Sequence, residues 1–404
     1  MNYEAIMAEA EKEKSFLVET RRWLHAHPET GFDLDETKAY VRQKLLDMGI
    51  LPQDCGKAGL TATIGNINQG ATILLRADMD ALPIQEEADV GFASNNGNMH
   101  ACGHDMHTTM LLCAAKLLKE HENELHGSVK LMFQPAEELF MGCQGMIHSE
   151  ILKDPEVHAA LMIHVSVGTP LPAGTVVVSQ PGISAPAADY FTINIQGKGC
   201  HGSAPQDGID PLTAAAHILI ALQEIHAREL AASDEAILTI GTMHAGSAPN
   251  VIPDSVIMEG SIRTYDEKIR CKLKQRIVEI ATGVASAFRT AAEVTYGIGC
   301  PTLVNNEGLS QEIRTYLTDL LGPKKVISTA DFSKNGKPVR DGGPEDFAFM
   351  SHQVPTLMLS LAAGEPELGY HHPQHHPKVK FDENVLSVGA AVYAYSAMRW
   401  LKDR

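Results

Sequence analysis

Residues 72–83, TILLRADMDALP, open as an apolar run and break into a loop at Asp78. A short apolar run bounded by turn signals reads as a strand buried on both faces. Upstream, a strand pair is expected over Leu60–Ile64 and Ala71–Arg76, after a helix over Glu36–Met48. Before that, Tyr3–His25 has the periodicity of one amphipathic helix stopped near Pro28. Downstream, His107–Glu120 reads as a helix, Gly127–Phe133 as a strand, Gly142–Glu150 as a helix and Ala159–His164 as a short apolar strand. This alternation predicts an α/β domain with a mixed, largely parallel sheet flanked by helices.

The texture changes near Ser184. Strands are expected over Tyr190–Gly197, Ala236–Met243, Ser255–Arg263 and Ala292–Gly297, with helices over Asp210–Leu230 and Glu267–Arg289. The order β-α-β-β-α-β is that of a ferredoxin-like module. Mixed α/β character resumes after Cys300. The expected organisation is a catalytic domain of residues 1–184 and 298–404 with an α+β domain, 185–297, inserted into it.

A chain of 404 residues suits two domains. Its net charge of −17 argues against non-specific nucleic-acid binding. The seven cysteines are odd in number and irregularly spaced, so no secreted disulfide framework is expected. The charged N-terminal stretch lacks a signal-peptide core, and no window approaches the ~18–20 apolar residues of a membrane span. A cytoplasmic protein without a membrane partner is expected.

The richest chemistry lies in residues 98–110, NMHACGHDMHTTM, where Cys102 and His104 flank a glycine amid His100, Asp105 and His107. Thiolate and imidazole are ligands of zinc and similar divalent ions. A lone Cys-x-His is more often a buried cysteine beside loop histidines, but this density of His and Asp favours metal. In FQPAEELFMGCQG, adjacent Glu137 and Glu138 follow a strand and a proline turn. Such neighbours can divide labour, one binding metal and the other serving as general base; the plain alternative is a solvated acidic turn. His164 closes an apolar strand, a place where histidines are commonly structural, and GYHHPQHHPKVKFDE holds four histidines of which only one need be a ligand. Cys102, His104, Glu138, His164 and one C-terminal histidine make five donors, which with water suit two ions ~3.5–4 Å apart.

These motifs resemble the co-catalytic metallo-amidohydrolase and peptidase superfamily of aminoacylases and glutamate carboxypeptidases. The branch is that of hippurate hydrolases, N-acyl-amino acid amidohydrolases and indole-acetyl-amino acid hydrolases. Nearly the whole chain takes part: RRWLHAHPETGF, LLRADMDALPIQE, HACGHD, FQPAEE, GKGCHGSAPQDGIDP, NVIPD, GSIRTYD, GGPEDFAFM and HHPKVKFDE occur in order. Arg76 with Cys102 marks the branch, since other branches carry histidine in place of the arginine and an aspartate ligand near the cysteine.

The resemblance implies Cys102, His104, Glu138, His164 and His375 as metal ligands, Glu137 as general base and Asp78 orienting the site from behind the ligands. His375 stands two residues before Pro377 and six before Phe381, as in the family; His371 and His372 remain alternatives. The ions would be zinc or manganese, with cobalt or nickel as further options. On the inserted lid, His201 is the implied oxyanion donor, and Asn250 and Arg263 are implied to grip the substrate carboxylate. Relatives often dimerise through this lid, so a homodimer is implied. Glu345 and Asp346, in a segment that borders the active site in relatives, are read as caps of the following helix with direct catalysis as the alternative, and Arg21, Arg22 and Asp80 as structural. The implied reaction is hydrolysis of the amide of a small N-acyl-amino acid (acetyl, benzoyl or aryl-acetyl) or short peptide. A dipeptidase or carboxypeptidase on the same scaffold is the second reading, and a non-catalytic metal-binding protein the third.

Overall fold

The computed structural model describes residues 4–332, 340 and 343–404. Tyr3 of the first expected helix and Gly342 of the expected glycine-rich turn lie outside them. The chain divides into two compact units, and the second spans Ala185–Leu303.

The first unit is built on an eight-stranded sheet. Its strand order is Gln53–Cys55, Gly59–Gly65, Gly127–Gln134, Ala71–Asp78, Ala159–Ser166, Thr356–Ala362, Val176–Val178 and Val326–Ser328. Ala71–Asp78 runs parallel to both neighbours, and Thr356–Ala362 runs parallel to Ala159–Ser166. The mixed, largely parallel sheet is therefore present. All eight residues of Gly127–Gln134 are buried, as expected for a strand covered on both faces. Helices His104–Glu120 and Leu386–Lys402 pack on each other, and their apolar residues join those of the sheet in one core.

Two local expectations are corrected. The N-terminal helix is two helices, Glu4–Lys12 and Lys14–Ala26. The first packs mainly on Leu386–Lys402 and the second mainly on His104–Glu120. The strands Gly59–Gly65 and Ala71–Asp78 do not pair with each other. Gly127–Gln134 lies between them, antiparallel to one and parallel to the other. Sequence neighbours need not be sheet neighbours when a later strand inserts between them.

The second unit is a four-stranded antiparallel sheet ordered Ala236–Ala245, Ser255–Thr264, Ala187–Gln196 and Ala291–Cys300. Helices Pro211–Glu224 and Glu267–Ala287 cover one face through Ile218, Leu222, Leu273 and Ile277, which meet Phe191, Ile193 and Met258. This is the β-α-β-β-α-β order of a ferredoxin-like module. The last strand runs beyond the expected Gly297 to Cys300. Among the described residues no helix is long and apolar enough to cross a membrane.

Candidate metal centre

The parallel strands of the first unit end on one side of the sheet, where open α/β sheets place their sites. Ala71–Asp78 ends at Asp78, two residues before Asp80; Gly127–Gln134 leads to Glu137 and Glu138; Ala159–Ser166 carries His164 near its end. His104 opens the helix that follows Cys102. Gly103, between them, has φ 91°. A Cβ there would sit 2.5 Å from Val165 Cγ2 and 3.2 Å from Phe381 Cζ, so glycine is needed for the thiol and imidazole to reach the strand ends.

The five expected ligands come together. Cys102 Sγ lies 3.6 Å from His164 Nε2, and His375 Nε2 lies 3.5 Å from Glu138 Oε1. Donor atoms of Cys102, His104 and His164 fall within 4.8 Å of one another, and so do those of Cys102, Glu138 and His375. The thiol is common to both triads. His371 and His372 instead have their rings 4.4 Å apart, with His372 stacked on His376.

The residues fit divalent cations. His104 Nδ1 donates to the Asp80 carbonyl at 2.7 Å, which leaves Nε2 facing the cluster. That Nε2 and Glu138 Oε1 are buried without a hydrogen-bond partner. An orphaned buried polar atom costs about 1–3 kcal/mol, and coordination would remove the penalty. The thiolate, imidazole and carboxylate donors are those of zinc and its neighbours.

The electrostatics agree. Burial alone would raise the Cys102 thiol, but His104 and His164 outweigh it and hold the thiol well below its ordinary range. Burial likewise opposes protonation of His164, yet Cys102 raises it to about 9. Burial, then the Cys102 charge, pushes Glu138 up to about 8. Glu137 is raised well above the carboxylate range by burial, Glu345, Glu138 and Asp346. Without cations the pocket thus holds protons that cations would displace.

Asp78 is fully buried. It accepts from His107 Nδ1 at 2.6 Å and Arg76 Nη1 at 2.6 Å, and lies 3.7 Å from His104 Nε2. His107 Nε2 in turn accepts from the Val165 amide beside His164. Asp80, read from sequence as merely structural, has a direct hold on the site. Its carboxylate accepts from the backbone N–H groups of Glu137 and Glu138 at 3.0 and 3.2 Å. Ala136 and Phe140, which bracket that pair, both have φ 52°. Such backbone persists where surrounding bonds over-determine it.

The cap expected of Glu345 is present, and both Glu345 and Asp346 have a further partner. Glu345 accepts from the Phe347 amide in its turn, but both carboxylates are buried against Arg76, at 2.9 and 3.1 Å from Nη2. The signal available in the sequence was charge balance, since a buried arginine strand residue requires partners. Arg21 pairs with Asp105 and Glu383, and Arg22 with Glu383.

In the second unit, Cys200–His201 pairs with Val251–Ile252, and Gly202 N donates to Asn250 O. His201 and Asn250 are therefore neighbours. Arg263 is not brought to them. It pairs with Ala188 at the opposite end of strand Ser255–Thr264 and donates to Tyr190 Oη at 2.9 Å. Eight residues separate it from Ser255, about 26 Å at ~3.3 Å per residue.

The pattern of peptidase family M20/M25/M40 matches residues 74–399. The chain belongs to that family. It is 35% identical to N-acetyl-L-cysteine deacetylase of Bacillus subtilis over 96% of this chain and 88% of that one. It is 36% identical to the IAA-amino acid hydrolase ILR1-like 2 of Arabidopsis thaliana, over 96% and 86%. Among solved structures it is similar to the Bacillus subtilis YXEP protein, described as a dinuclear metal binding peptidase from the M20 family. The TM-score is 0.78 at 31% identity, covering 97% of this chain and 99% of that one. This M20 family chain is a metal-dependent amidohydrolase with a site for two metal ions.

Proposed function

We propose that the chain hydrolyses the amide bond of N-acyl-amino acids carrying an acetyl, benzoyl or aryl-acetyl group. The observation that carries this reading is the Cys102 thiol shared by two donor triads with Glu137 beside them. The names of the relatives, a deacetylase of an acetylated amino acid and a hydrolase of amino-acid conjugates, support the substrate class.

In this reading Cys102, His104 and His164 would hold one ion, and Cys102, Glu138 and His375 the other. Thiolate and imidazole favour zinc, with manganese, cobalt or nickel as alternatives. Bound ions supply Lewis acidity and lower the pKa of the attacking water. Glu137 accepts a proton from that water and delivers it to the leaving nitrogen. Asp80 fixes the backbone of the glutamate pair, and Asp78 holds His107 and Arg76 in place. In the second unit, the lid of this reading, His201 beside Asn250 is the candidate donor to the developing oxyanion. Arg263, held by Tyr190 at the other end of its strand, is too far from His201 to grip the same small substrate, so Asn250 is the candidate for the substrate carboxylate and the lid is the candidate homodimer surface.

The test is a panel of acetyl, benzoyl and aryl-acetyl amino acids set against dipeptides, using metal-reconstituted protein and Glu137→Gln. Hydrolysis of acyl-amino acids that Glu137→Gln abolishes supports the reading. Preference for dipeptides would replace it with a dipeptidase, and full activity in Glu137→Gln would remove Glu137 from the role.

A further inference from the structure

We propose that Gln374 is a positioning residue that holds the two halves of the metal centre at the spacing a shared thiolate needs. The inference rests on the ligand reading above and goes beyond it, since Gln374 is none of the five ligands.

The donors come from separate stretches of chain: the loop at 101–104, the strand end at 164–165, the turn after 134, and the C-terminal loop at 374–375. The thiol can serve both triads only if the first, second and fourth keep their mutual distances. Gln374 belongs to the fourth and touches the other two. Its Nε2 lies 3.1 Å from the Cys102 carbonyl oxygen and 3.1 Å from the Val165 carbonyl oxygen. An amide nitrogen carries two protons, so these two bonds use its full capacity. His164 Nδ1 is 3.4 Å away but itself donates to the Val165 carbonyl at 2.7 Å. Gln374 and His164 thus share one acceptor. The amide thereby helps hold the carbonyl that keeps a proton on His164 Nδ1 and turns Nε2 toward Cys102. The Cys102 sulfur lies 3.8 Å from the same amide nitrogen.

The arrangement also accounts for the backbone of His375, whose φ is 64°. A non-glycine residue in the left-handed region persists when its surroundings over-determine it. The His375 amide donates to the Ala101 carbonyl at 2.9 Å, next to the carbonyl that Gln374 engages. Two consecutive residues of the C-terminal loop are thus stitched to two consecutive residues of the Cys102 loop. That places the His375 imidazole by Glu138 and leaves His372 and His376 stacked on each other.

The test uses full-length protein loaded with cobalt(II). It reads the thiolate-to-cobalt charge-transfer band, the metal affinity by chelator competition, and the melting of the metal-free form. Gln374→Met keeps the length and removes both donors. It should weaken metal binding ~10–100-fold and shift the band, with metal-free melting near wild type. Gln374→Asn keeps the amide on a stem one carbon shorter, which cannot span both carbonyls, and should fall between. Wild-type affinity and an unshifted band in either variant would overturn the assignment. If Gln374→Met fails to fold, Gln374→Asn decides alone. A wild-type protein with no thiolate band would instead sink the shared-thiol reading beneath it.

Discussion

Two buried polar clusters meet at Asp78 and Glu137, and they differ in how complete they are. On one side, every donor group of Arg76 is engaged: Nε by Gln134, Nη1 by Asp78, and Nη2 by Glu345 and Asp346. Gln134 and the Cys143 amide complete the bonding of Asp346. On the other side, the Cys102 cluster leaves His104 Nε2 and Glu138 Oε1 without partners. The closed cluster satisfies itself and belongs to the fold. The open one reaches full satisfaction only with cations and belongs to the chemistry.

Breaking the two sides should have different consequences. The largest effect is expected from Glu137→Gln, which removes the base between them. Its kcat should fall about 10²–10⁴-fold with metal content unchanged by elemental analysis. Arg76→Met should leave three carboxylates buried without their cation. A loss of about 3–5 kcal/mol in denaturant unfolding is expected, whether or not metal is present. Chelation should act on the open side alone. At free metal 100 times Kd, removing it should cost about 2.7 kcal/mol of stability, while the Arg76 variant's deficit persists in the metal-free protein.

The smallest effect, and the sharpest on mechanism, is on pH. In the metal-free protein His164 is raised to about 9 and Glu138 to about 8. A group with a raised folded pKa contributes stability that is present below its unfolded pKa and lost as pH climbs through the folded value. Metal-free stability should therefore decline from about the ordinary carboxylate range to pH 8 through Glu138, while the raised His164 and the lowered Cys102 it faces offset one another. Metal binding needs Glu138 and His164 deprotonated, so affinity should rise over the same upper range with release of protons. Calorimetric titration in buffers of different ionisation heat reads the protons directly. Zero release at pH 7 would mean that the open cluster does not hold them.

Much of this contrast was legible before any fold was known, but unevenly. Cys102, His104, Glu137 and Glu138 sit in short motifs whose chemistry is local. The closed cluster was not legible. Arg76 lies some 270 positions from Glu345 and Asp346, and nothing in the Gly-Gly-Pro-Glu-Asp turn itself indicates that its carboxylates point at that strand residue. Asp80 looked structural because its role runs through backbone amides of residues 137 and 138, which carry no sequence signature. Gln374 was hidden among four histidines for the same reason, since its partners are carbonyls.

The order of residue types along this chain determined the alternation of strands and helices, the glycine between Cys102 and His104, and the pairing of two adjacent glutamates. Those features depend on neighbours within a few positions, where periodicity and steric limits act directly. The tertiary structure alone decided that Gly127–Gln134 would insert between Gly59–Gly65 and Ala71–Asp78 in the sheet. It also decided that one thiol would serve two triads and that Arg263 would stand at the far end of its sheet from His201. These are distances between segments remote in sequence, set by the packing of a common core.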